Sequence, residues 1–135
     1  MDKGWIFVLV GIVLLLLGCS SGTAPFRSAW NVANATAVET KAEIEGLHEA
    51  DTQAIIESPT LTKAQKIEAL DHVAARWAPA YRAFRVFRAA LASARVALTA
   101  AEAAELAGHE PDLSKLAGLI SAALTAQQAL SEAIP

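Results

Sequence analysis

The stretch LDHVAARWAPAYRAFRVFRAALASARVALTAA, residues 70–101, decides the fold class. Leu70, Trp77, Phe84, Leu91 and Leu98 stand seven residues apart, and Val73, Ala80, Phe87, Ala94 and Ala101 each follow three residues later. Steps of three and four return a side chain to the same face of an α-helix. Sustained as a repeat of seven, they mark helices packed along their length. Alternation by two, the signature of a half-buried strand, does not occur after residue 24, nor does an Asn-Gly hairpin turn.

Working outward, Thr62-Lys63-Ala64-Gln65 reads as a capping box, with Thr62 at the N-cap and Gln65 three residues on. Pro79 lies inside the helix so begun and is expected to kink it or remove one hydrogen bond. Gly108 marks its end. Upstream, Pro25 can open a first helix, with apolar or small residues at Phe26, Trp30, Ala33, Ala37, Ile44 and Leu47, then Ile55 and Ile56. Ser58-Pro59-Thr60 stops it, because a proline disfavours helix in the residue before it. A third segment starts near Pro111-Asp112 and repeats Leu113, Leu116, Ile120, Ala123, Gln127, Leu130 and Ile134. The predicted segments are 26–57, 62–107 and 112–134. The first two, roughly 50 and 70 Å long at about 1.5 Å per residue, fold back on each other at Pro59. The fold class is all-α: an N-terminal hydrophobic signal helix, then an antiparallel helical hairpin or small three-helix bundle with coiled-coil-like packing.

The chain is 54% hydrophobic and 19% charged, with a net charge of −3. Much of the apolar excess lies in the first eighteen residues, and much of the remainder is alanine, which favours helix but buries little area. The body therefore has a thin core, and its charge argues against nucleic-acid binding. Helix one carries Glu39, Glu43, Glu45, Glu49, Asp51 and Glu57, and helix two carries Lys63, Lys66, Arg76, Arg82, Arg85, Arg88 and Arg95. Opposite signs on facing helices favour their pairing, although each exposed pair contributes little.

Residues 4–18, GWIFVLVGIVLLLLG, are uncharged. They are short for a membrane span of about 20 residues and at the long end for a signal core of roughly 7–15. Cys19-Ser20-Ser21-Gly22-Thr23-Ala24-Pro25 follows as a small, polar tether. Leu16-Leu17-Gly18-Cys19 resembles the lipobox of bacterial prolipoproteins: an aliphatic residue, a tolerant position, a small residue, then cysteine. The resemblance implies lipidation of the Cys19 thiol, cleavage after Gly18 and, in a Gram-negative host, outer-membrane sorting from Ser20. The organisation expected is a signal peptide at 1–18, a tether at 19–25 and a helical domain at 26–135. One lysine beside an aspartate is less positive charge than such signals usually carry.

Arg76, Arg82, Arg85, Arg88 and Arg95, with no acid among them and aromatics interleaved, form a candidate surface for an anionic partner. The aromatics fit the seam, so the plainer expectation is a core stripe flanked by solvated arginines. His48, His72 and His109 lack a metal-ligand motif and are expected at the surface, although the fold-back would bring His48 and His72 to similar heights. No Gly-x-Ser-x-Gly, phosphate-cradling glycine loop or paired-carboxylate site occurs, so no enzyme, cofactor or metal is expected. The expectation is a lipid-anchored, extracytoplasmic scaffold that meets a protein partner or itself through its helices, and no nucleic acid. The alternative is an uncleaved single-span anchor bearing a periplasmic coiled coil. That architecture looks like the inner-membrane spanin subunits of phage lysis systems.

Overall fold

The computed structural model describes residues 22–135. The expected signal helix and Cys19 lie outside the described residues. Within them run three helices, α1 (Ala24–Ile56), α2 (Lys63–Leu106) and α3 (Leu113–Ala133), and no strand.

The ends follow from local chemistry. Pro25 sits in the first turn of α1, where its missing N–H costs nothing. The helix therefore takes up Ala24 and Pro25, the last two residues assigned to the tether. At the start of α2 both halves of the capping box are present: Gln65 N–H donates to Thr62 Oγ1 at 3.3 Å, and Thr62 N–H donates to Gln65 Oε1 at 2.9 Å. Lys66 Nζ reaches back 2.5 Å to the carbonyl of Ile56, capping the end of α1 across the turn. At the end of α2, His109 N–H bonds to Ala104 O at 2.8 Å and Gly108 N–H to Glu105 O at 3.1 Å. This closure needs a left-handed residue, and Gly108 supplies it with φ 76°. Asp112 caps α3 by accepting from Lys115 N–H at 3.0 Å.

Contacts between Arg27 and Glu102 at one end and between Asp51 and Arg76 nearer the other make α1 and α2 antiparallel. The seven-residue seam of α2 forms the core: Trp77, Ala80, Phe87, Leu91, Ala94, Leu98 and Ala101 are all buried. Facing it, α1 presents Ala29, Ala33 and Ala37, then Ile44, so the backbones approach closely around the larger side chains of α2. The third helix lies over the seam with Leu116, Ile120, Ala123 and Leu130, within its own chain. Each fully buried Leu, Ile or Phe contributes about 1.5–3 kcal/mol, so α2 and α3 supply most of the hydrophobic stabilisation. Gln127 is buried in this face as well, as its place in the repeat requires.

α3 is 21 residues long and α2 is 44, so the bundle is three helices thick only towards the end of α2. Between residues 45 and 76 no side chain is fully buried. Leu47 and Ile56, expected in the seam, are 44% and 50% exposed because no third helix reaches them. Pro79 does not break α2. Both Pro79 and Ala75, the residue whose carbonyl it cannot pair, are exposed. Among the described residues no helix is long and apolar enough to cross a membrane.

Leu98 is fully buried, whereas Val96, two residues away, is 73% exposed. In equilibrium urea unfolding, Leu98→Ala is expected to lose about 2–5 kcal/mol. Val96→Ala is expected to stay within about 0.5 kcal/mol of the wild type.

Candidate functional site

The five arginines do not act together. Arg76 pairs with Asp51 of α1, an interhelical pair between the acids and bases expected to meet. Arg95 stacks over the Trp30 ring at 5.6 Å, and Arg27 lies over the same indole at 5.8 Å. Arg82, Arg85 and Arg88 lie exposed on α2 and form no ion pair among the described residues. The expected general pairing of helix-one acids with helix-two arginines is thus corrected. Packing turns the seam inward and leaves Arg82 and Arg85 on the far side of α2, while Arg88, seven residues from both Tyr81 and Arg95, stands exposed at the edge nearer α1.

Further towards the turn at Pro59, a polar and aromatic cluster joins α1 to α2. Trp77, buried at the seam, donates its indole N–H to Asp51 Oδ2 at 2.8 Å. The His48 ring stacks on Trp77, with centroids 5.9 Å apart, and its Nδ1 lies 2.9 Å from Tyr81 Oη. Thus His48 is half-buried rather than a surface histidine. His72 is exposed beside Glu68 at 3.9 Å, so the two histidines do not come together. The contacts of His48 lie further along α2, at Trp77 and Tyr81. His109 is exposed in the α2–α3 connection. Among the described residues no three His, Cys, Asp or Glu side chains converge to hold a metal ion.

The opposite end carries a feature that the sequence did not announce. Glu105 Oε2 accepts from Thr23 N–H at 3.1 Å and from Thr23 Oγ1 at 2.5 Å, tying the first residues of the body to the last turn of α2. One turn back, Glu102 accepts two hydrogen bonds from the Arg27 guanidinium. Gly22 has φ 113°, a conformation that strains any other residue, and a Cβ there would displace the Glu105 carboxylate, 2.5 Å away. These groups line an open cleft of about 410 Å³ with Ala24 and Leu106. Its carboxylates are engaged by Thr23 and Arg27. The signal was in the sequence: two acids three residues apart near the end of helix two face an arginine near the start of helix one.

No family model, curated protein or solved structure matches the chain.

The Trp77 hydrogen bond, reinforced by Arg76, holds the Asp51 carboxyl below its usual value of about 3.8, against an opposing effect of burial. A group with a lowered folded-state pKa stabilises the fold above its unfolded value and loses that contribution as pH falls through the folded one. Asp51→Asn is therefore expected to lower the melting temperature at neutral pH. The gap from wild type should close as pH drops below about 3.8. A gap unchanged from pH 7 to pH 2 would remove the charge-assisted bond from the account.

Proposed function

We propose that the protein is a lipid-anchored, extracytoplasmic helical post that acts as a scaffold, presenting its outer helix faces to a partner at the membrane surface. The lipobox-like Leu16-Leu17-Gly18-Cys19 supplies the anchor in this reading. The observation that carries it is the latch at the foot of the body, where Glu105 holds Thr23 four residues after Cys19. The intervening chain spans at most roughly 14 Å, so an anchor at Cys19 keeps that end of the bundle close to the lipid. The Ser58–Thr62 turn then stands at the far end. At about 1.5 Å per residue, the 44 residues of α2 give the post a length of roughly 66 Å. Two or more acyl chains make such attachment stable. A small three-helix bundle with a coiled-coil-like seam suits a stiff spacer better than an enzyme, since the cleft at its foot is open and its carboxylates are tied up by Thr23 and Arg27.

Intact mass spectrometry of the membrane-extracted protein, wild type beside Cys19→Ser, tests the reading. Loss of residues 1–18 with added acyl mass, abolished in the variant, is the expected result. A full-length, unmodified mass would replace the lipid anchor with an uncleaved N-terminal segment.

A further inference from the structure

We propose that the exposed face of α2 around Arg82 and Arg85 is the docking surface for the exposed face of α1 on a second copy of this chain, the copies standing side by side and the same way up.

The two faces match in charge and in height. Arg27 beside Glu102 and Asp51 beside Arg76 set the height of α1 against α2 within one molecule. On that ladder Glu45 stands level with the turn that carries Arg82 and Arg85, and Glu49 lies about one turn further from the foot. Val38 and Ala42 stand level with Ala89 and Val86. All eight of these residues are exposed, Val38 at 63% and Val86 at 62%. Within each helix the four recur at steps of three and four, so they share a side. The sides point away from the common core, and a molecule cannot bring its own α1 face onto its own α2 face.

A neighbour can. Set beside the first copy without sliding along the long axis, its α1 places Glu45 and Glu49 against Arg82 and Arg85. The same placement sets Val38 and Ala42 against Ala89 and Val86. Lys41, 3.8 Å from Glu45, flanks the acids. The arginines have no acid near them on their own face: from His72 to Ala101 the chain contains no Asp or Glu. Zero axial offset is what molecules held at one end in one membrane share, so this step rests on the anchored reading for its geometry. Such a contact uses different patches on the two partners and repeats into a ring or row. Individually weak charge pairs suffice because anchored copies meet at high effective concentration.

The test uses the full chain in membranes, with Val38→Cys and Ala89→Cys in one molecule as reporter. Oxidation is expected to give a disulfide-linked ladder of dimers, trimers and higher species, whereas either single cysteine stops at dimer. Adding Glu45→Arg with Glu49→Arg, or Arg82→Glu with Arg85→Glu, should cut the ladder at least tenfold. Co-expressing the two reversed chains should restore it. All four side chains are exposed, and helicity by circular dichroism checks that the variants fold. No ladder, or one indifferent to charge reversal, overturns the proposal. Loss of binding to anionic phospholipid vesicles on arginine reversal, with acid reversal silent, would reassign the arginines to lipid head groups. A free Cys19 would add its own disulfide equally to every variant, charge-reversed or not, so the charge dependence still reads the contact, and failure of the lipid anchor is read separately by mass.

Discussion

Everything in the body leans on one apolar seam, the inward face of α2, which must serve two neighbours at once. Phe87, Leu91 and Leu98 are too large for three helices to close around unless a partner is slim, and α1 is slim where it meets them, with Ala29, Ala33 and Ala37. Alanine thus does two jobs in this chain: it favours helix, and it brings backbones near enough for a few large residues to exclude water. The consequence is a core whose stability rests on a short list of side chains, mostly from α2 and α3. Where α3 ends, that supply ends too.

The hairpin beyond α3 is therefore held differently. Trp77 closes the hydrophobic core with its ring while its indole N–H points to Asp51, and His48 and Tyr81 continue the contact with polar atoms that also pair. A tryptophan is suited to this position because it buries a large apolar body and still offers one donor at its edge. The turn itself depends on neighbouring contacts: the Thr62 capping box fixes the entry to α2, and Lys66 ties that entry to the last carbonyls of α1. Bulk burial near the foot thus gives way to specific hydrogen bonds towards the tip.

How much of this was legible depends on the range of the interactions. The capping box, the stop at Gly108 and the seam from Trp77 to Ala101 are local patterns, and the structure places them as the spacing implies. Even Gln127 follows the repeat into the core, where its chemistry alone would have sent it outward. Leu47, Ile56 and His48 went astray because their burial depends on where another helix stops or which ring lies opposite, which periodicity within one helix cannot report. The Glu105 latch escaped for the same reason, since it joins residues 82 apart in sequence. The arginines were legible as a group, but their division into Arg76 and Arg95, which reach α1, and the exposed Arg82, Arg85 and Arg88, which pair with no acid, depends on their places around α2.

That division has a physical logic. An arginine at the edge of the seam can reach a carboxylate or an indole on α1, as Arg76 and Arg95 do, and it then strengthens the intramolecular contact. An arginine on the opposite side of the same helix has no such choice, and in a slender bundle nothing folds over it. A helix with a seam on one side and an acid-free, arginine-bearing strip on the other keeps its fold and its surface chemistry on separate faces. Changes to the outer strip leave the core untouched, so the outer surface can vary without cost to the fold. In the anchored arrangement proposed above, the body offers its long sides, more than its tip, to molecules tethered in the same membrane. Such a geometry favours recognition along the helices, where the charges of α1 and α2 lie.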